Sequence, residues 1–190
     1  MNVGIVGFGS IGSEVAKALI NGVEDFSLYG ITSRSKSKAK ERIAKLDKNI
    51  KIYDLETLVD NCEIIIDCAP KEAFRDIATK CINKERKLIT VSGSGILDNL
   101  DLEELAKTKN SQIILATGAI LGLDALRAAS ESNINSVTMT TRKPPNALSN
   151  APFVINNSIE LNNLLEPKLI FKGSATDGAK AFPANVNVAA

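Results

Sequence analysis

Gly7-Phe8-Gly9-Ser10-Ile11-Gly12 is the stretch whose reading decides the fold. Met1-Asn2-Val3-Gly4-Ile5-Val6 before it is a short apolar run with the character of a buried strand. Ser13-Glu14-Val15-Ala16-Lys17-Ala18-Leu19-Ile20 after it carries apolar residues at helical spacing. Strand, glycine turn and helix in that order give a G-x-G-x-x-G pattern its physical meaning. Gly7 permits a tight turn off the strand. Gly9 has no side chain to hold a pyrophosphate away from the backbone, and Gly12 lets the helix pack closely on the sheet. The helix start adds unpaired N–H groups and a partial positive charge, which suit phosphates. The stretch therefore predicts a nucleotide site, with Gly7, Gly9, Ser10, Ile11 and Gly12 against the ligand.

Outward from this turn, the chain alternates strand and helix. Ser27–Thr32 reads as a second strand, ending at Ser33-Arg34-Ser35. An acidic residue about 20 positions beyond the glycines would bind a ribose 2′-hydroxyl and repel a 2′-phosphate. Ser33 and Arg34 stand there instead, and hydroxyls beside a guanidinium suit a phosphate dianion. NADP is therefore expected to bind at least as well as NAD. A basic helix follows over Ser37–Lys45, and Arg34 and Lys36 also read simply as its solvated start. Lys51-Ile52-Tyr53 reads as a short strand, and Asp54 as the N-cap of a helix through Val59. Glu63–Ala69 is a buried strand by its β-branched run, stopped by Pro70 and followed by a helix over Lys71–Cys81. Lys87–Val91 and Gln112–Ala116 are further strands, with a helix over Leu102–Thr108 between them.

This alternation predicts an α/β fold, a Rossmann-type parallel sheet with helices on both faces. Ligands of such sheets lie beyond the carboxyl ends of the strands. The expected rim is Gly7–Gly12, Ser33–Arg34, Cys68–Pro70, Ser92–Gly95 and Thr117–Ala119, with Cys68, Ala69, Ser92 and Gly93 toward the nicotinamide half. After residue 120 the texture changes. Leu121–Ser130 reads as a helix, Ile134–Thr141 and Leu169–Lys172 as strands, and Asn146–Glu166 as a polar surface excursion. The expected organisation is a dinucleotide-binding domain over 1–120 and a second, incomplete α+β domain over 121–190. The apolar, uncapped run up to Ala190 predicts a helix that continues further.

Composition narrows the class. The chain has 190 residues, 44% of them hydrophobic and 4% aromatic with no Trp, so its core should be aliphatic. Lys+Arg of 23 against Asp+Glu of 22 gives a net charge of +1, which offers no electrostatic case for nucleic acid or a membrane surface. Ile113–Leu123, the longest uncharged apolar stretch, is too short to span a bilayer. Cys62, Cys68 and Cys81 match no zinc spacing, and the N-terminus does not read as a signal peptide. Reduced thiols in a soluble, cytoplasmic protein without a metal site are the expectation. The chain contains no histidine, the usual acid or base near neutral pH.

Four stretches together resemble the L-aspartate dehydrogenase family. They are Val3–Gly12, Thr117-Gly118-Ala119-Ile120-Leu121-Gly122-Leu123-Asp124-Ala125-Leu126, Thr141-Arg142-Lys143-Pro144-Pro145 and Phe182-Pro183-Ala184-Asn185-Val186-Asn187-Val188-Ala189-Ala190. The resemblance implies NAD(P)-dependent oxidation of L-aspartate to iminoaspartate, which hydrolyses to oxaloacetate and ammonia. It also implies a homodimer and a role in feeding NAD biosynthesis. Cofactor contacts would then fall on the Gly7–Gly12 loop, Ala119, and Asn185 or Asn187. Members carry an active-site histidine beyond the Asn-Val-Asn segment, so no residue here takes that role by matching.

A substrate with two carboxylates needs cationic or N–H donors near the nicotinamide. Arg142, Lys143, Lys180 and Asn187 are the side-chain candidates, with backbone N–H groups around Thr117 and Ser92. Each of the three cations also reads as an ordinary solvated surface residue. Two other readings stay open at this point. One is another two-domain oxidoreductase, a relative of homoserine dehydrogenase or dihydrodipicolinate reductase. The other is a catalytically silent NADP-binding sensor module.

Overall fold

The computed structural model describes residues 1–46, 49–116 and 122–183. The chain divides into two compact units, Met1–Ala116 and Thr117–Ala190. The first unit holds a five-stranded sheet with every pairing parallel, in the order β2-β1-β3-β4-β5. Its strands are β1 (Asn2–Val6), β2 (Ser27–Thr32), β3 (Ile64–Asp67), β4 (Lys87–Thr90) and β5 (Gln112–Leu115). The helices between them are α1 (Ser10–Gly22), α2 (Lys36–Lys45), α3 (Leu55–Asn61), α4 (Phe74–Asn83), α5 (Gly93–Leu97) and α6 (Asp101–Thr108).

Strand side chains alternate between faces, and the two faces are covered differently. Ile5 pairs with Ile31 and Ile66, and that row packs with Phe8, Ala16 and Ala39 under α1 and α2. On the other face Gly4 pairs with Ile65, which pairs with Leu88. There Leu58, Phe74, Ile77, Ile82 and Leu102 close the core under α3, α4 and α6. The absence of a side chain at Gly4 lets α3 come close, since a Cβ there would lie 3.1 Å from Cys62 Sγ. A helix of 7 residues such as α3 is marginal in water on its own. Burial of Leu58 and Val59, each contributing about 1.5–3 kcal/mol, holds it in place. Asp54 caps it as expected, its Oδ1 accepting from Thr57 N–H at 2.7 Å.

Two local expectations are corrected. Lys51-Ile52-Tyr53 makes only an isolated bridge between Ile52 and Ile31, because β2 ends nearby and offers too short an edge. Lys71–Ala73 is a 3₁₀ turn, and the α-helix begins at Phe74. The rim stretch Ser92–Gly95 includes the start of a helix, since α5 begins at Gly93.

The second unit contains α7 (Leu123–Ser130), α8 (Pro145–Leu148), α9 (Pro152–Asn156) and α10 (Ala175–Ala181). Its core joins Ala151, Val154, Leu161, Ala181 and Phe182. Phe153, Phe171 and Phe182 form a mutual aromatic cluster with ring centroids 5.4–5.6 Å apart. The strands expected at Ile134–Thr141 and Leu169–Lys172 do not form among the described residues. A strand needs a ladder partner, and apolar alternation alone supplies none. Ile134, Val137 and Met139 are accordingly exposed, while Phe171 serves as a packing anchor.

Candidate functional site

The glycine turn is shaped by backbone crowding. Gly7 has φ +88°, the left-handed region, and its N–H donates to the Thr32 carbonyl at 2.9 Å. A Cβ built on it would lie 2.6 Å from Ala69 N and from the carbonyl of Cys68. The end of β1 therefore rests directly on the end of β3. At Gly12 a Cβ would meet the Gly7 carbonyl oxygen at 2.1 Å, so the first turn of α1 sits against the loop itself. Gly9 is different. The nearest atom to a Cβ there is Arg42 Nη1 at 3.8 Å, so its backbone faces open space.

Gly9 is also the N-cap of α1, with no side chain capping it and no acidic residue in the first turn. The first helical bond runs from Ser13 N–H to the Gly9 carbonyl, which leaves the amides of Ser10, Ile11 and Gly12 without intrahelical acceptors. Ser10 and Ile11 are exposed. Open backbone, free amides and a helix dipole with no competing carboxylate fit the pyrophosphate of a dinucleotide.

At the end of β2, Ser33 is half-buried and its hydroxyl donates to the Ser35 carbonyl at 3.4 Å. Arg34 is exposed. The Ser35 hydroxyl is occupied as the N-cap of α2. Arg42, two turns into that helix, donates through Nη1 to the Phe8 carbonyl at 2.6 Å.

The rim at β3 and β4 is joined by a buried carboxylate. Asp67, 1% exposed, accepts from Ala69 N–H at 2.9 Å through Oδ1 and from the Thr90 hydroxyl at 2.7 Å through Oδ2. Thr90 Oγ1 in turn accepts from Ser92 N–H at 3.0 Å. Burial pushes the Asp67 carboxyl above its ordinary range, and the Ala69 and Thr90 donors offset only part of that. Beside it, burial and then the Asp67 charge push the Cys68 thiol up to about 11, so it is protonated and unreactive at neutral pH. Ser92 and Gly93 are buried, and the Ser92 hydroxyl caps α5 by accepting from Gly95 N–H at 3.2 Å. Ser92 thus supports the rim from below. Ser92→Ala is expected to lower stability by about 1 kcal/mol, read from the midpoint of a urea titration.

The structure brings Gly7, Cys68, Ala69 and Ser92 into one connected rim, with Gly9, Ser10, Ile11 and Gly12 at its centre. Ala119, Asn185 and Asn187 lie outside the described residues. Arg142 and Lys143 are exposed on a segment without regular secondary structure before α8, and Lys180 is exposed on α10. Sequence reasoning missed Arg42, Asp67 and Thr90. Asp67 had a signal, a carboxylate closing the apolar run Ile64-Ile65-Ile66. Arg42 had none, being one of several cations in a basic helix. Among the described residues no group of three or more His, Cys, Asp or Glu is placed to hold a metal ion, and no helix is long and apolar enough to cross a membrane. No disulfide joins the three cysteines.

A parallel sheet with this turn at the carboxyl end of its first strand defines a nicotinamide-dinucleotide-binding domain of the Rossmann class. Residues 7–116 match the family described as "Homoserine dehydrogenase, NAD binding domain", and residues 124–190 match "Aspartate dehydrogenase, C-terminal". Over its whole length the chain is 39% identical to an L-aspartate dehydrogenase of Bradyrhizobium diazoefficiens, 67% of which it covers. It is 40% identical to one from Methanocella arvoryzae, over 99% of this chain and 71% of that one. The chain belongs to the L-aspartate dehydrogenase family. Its fold is also similar to a crystal structure of aspartate dehydrogenase from Thermotoga maritima, with a TM-score of 0.72 at 24% identity, covering all of this chain and 71% of that one.

Proposed function

We propose that the protein oxidises L-aspartate with NAD(P), giving iminoaspartate and, after hydrolysis, oxaloacetate and ammonia. The observation that supports this most is the similarity of the entire chain to L-aspartate dehydrogenases, together with a rim built for a dinucleotide. The bound nicotinamide supplies the hydride acceptor. The residues of this chain supply placement. The Ser10, Ile11 and Gly12 amides take the pyrophosphate, the Ser33–Arg34 turn takes the adenosine ribose, and the Cys68–Ala69 and Ser92–Gly93 segments border the nicotinamide half. Ala119, Asn185 and Asn187 complete the cofactor contacts on this reading.

Residues 1–120 then act as the dinucleotide domain and 121–190 as the substrate and dimerisation domain. Arg142, Lys143 and Lys180 are its candidate carboxylate partners. The α-ammonium must lose a proton before hydride leaves, and with no histidine in these 190 residues that base is unassigned. A cytoplasmic homodimer supplying NAD biosynthesis completes the proposal. Nicotinamide reduction by the intact protein should occur with L-aspartate and not with homoserine. The reverse preference would overturn the substrate assignment.

A further inference from the structure

Arg42 is the feature of the cofactor rim that no motif predicts. It lies on α2 and reaches across 34 positions of sequence to the Phe8 carbonyl, 2.6 Å away. Phe8 is itself fixed, its ring buried with Ile5, Ala16 and Ala39. The guanidinium is therefore held at both ends, by its own helix and by an anchored carbonyl. Arg42 is half-buried and, like Arg86, bonds a backbone carbonyl without making an ion pair among the described residues, whereas the half-buried Lys71 and Lys80 pair with carboxylates. Partial burial of an unpaired cation costs free energy unless an anion completes it. Among the described residues, the Phe8 carbonyl engages only Nη1, which leaves its other N–H donors uncommitted.

Its position says which anion. Arg42 Nη1 is the atom nearest to the open face of Gly9. Its helix is the one that begins beyond Ser33 and Arg34, the turn that takes the adenosine ribose in this fold. The pyrophosphate already has its own donors in the free amides of α1. The remaining helix residues carry Lys36, Lys38, Lys40 and Lys45 against the single acid Glu41, so the surroundings favour a dianion further.

We propose that Arg42 reads the adenosine 2′-phosphate: fastened to the glycine turn through the Phe8 carbonyl, its guanidinium pairs with that phosphate and gives NADP its advantage over NAD. This rests on the dinucleotide reading of the site but not on aspartate as substrate. Arg suits the role better than Lys because a planar fork can hold a carbonyl and a phosphate together.

The test is calorimetric titration of the intact protein and its Arg42→Met and Arg42→Lys variants with NADP, NAD, 2′,5′-ADP and 5′-AMP, without turnover. The unaltered protein should bind 2′,5′-ADP more tightly than 5′-AMP. Arg42→Met should weaken NADP and 2′,5′-ADP by roughly 10- to 100-fold, the range of a charge-assisted pair, and change NAD and 5′-AMP by less than about threefold. Arg42→Lys should fall between, and it carries the test alone if the Met variant does not fold. Equal loss for phosphorylated and unphosphorylated ligands would reduce Arg42 to a clamp on the loop and overturn the proposal. Unchanged preference in the Arg42 variants with loss in Arg34→Ala would overturn it in favour of Arg34. If NAD binds and NADP has no advantage, this proposal alone falls; if neither binds, the dinucleotide reading falls with it.

Discussion

Gly12→Ala is expected to lose measurable dinucleotide binding and to destabilise the protein by about 3 kcal/mol or more. The added methyl group would sit 2.1 Å from the Gly7 carbonyl oxygen and 3.3 Å from Ile5 Cγ2. Neither neighbour can withdraw. Gly7 is pinned by its bond to Thr32 and by the ends of β3, and Ile5 is fully buried in the sheet. The helix must therefore tilt away, taking the Ser10 and Ile11 amides with it. Gly9→Ala is the informative contrast. Its methyl group meets only Arg42 Nη1, at 3.8 Å, so stability should hold within about 0.5 kcal/mol. Binding should still fall, because the methyl group occupies space the phosphates need. Urea denaturation and cofactor titration of both variants separate the two effects. Retained affinity in Gly12→Ala would show that the loop is not the phosphate cradle.

Asp67→Ala should cost about 2–3 kcal/mol, because it strands the buried Thr90 hydroxyl and the partly buried Ala69 N–H. Asp67→Asn should cost less, about 1 kcal/mol. Its amide oxygen still accepts from Ala69, but its NH₂ faces a hydroxyl that already accepts from Ser92. The pH dependence adds a second signature. The folded carboxyl has a raised pKa, so the folded state binds a proton more readily than the unfolded chain does. The associated stability is fully present below the unfolded pKa and is lost as pH rises through the folded value. The stability difference between the unaltered protein and Asp67→Asn should therefore shift against the unaltered protein as pH rises from the acid range, then level off. A difference independent of pH would mean that the carboxyl is not perturbed. Loosening of the Cys68–Ala69 and Thr90–Ser92 segments should also weaken cofactor binding.

The sheet was legible because its strands are short, mostly apolar runs separated by helical patterns, and because the central strands β1 and β3, buried on both faces, leave little polar alternation to confuse the reading. Asp54 was legible as a cap for a similar reason, since the bond it makes spans three residues. Arg42 and the Asp67–Thr90–Ser92 chain were not, since their bonds join residues 23 to 34 positions apart or depend on burial that no local pattern encodes. Ile134–Thr141 misled in the opposite direction. Its β-branched and alternating residues have strand character, yet pairing is a property of two segments and not of one.

The strand order has a consequence for how the protein is made. β1 and β2 pair first, β3 adds to the free side of β1, β4 to β3 and β5 to β4. Every strand that emerges from the ribosome finds its docking edge already present, and none waits for a partner still to be synthesised. The glycine turn closes onto Cys68 and Ala69 once β3 is in place. The phosphate cradle can thus reach its final form while the second unit is still untranslated, and errors in that later unit need not disturb it.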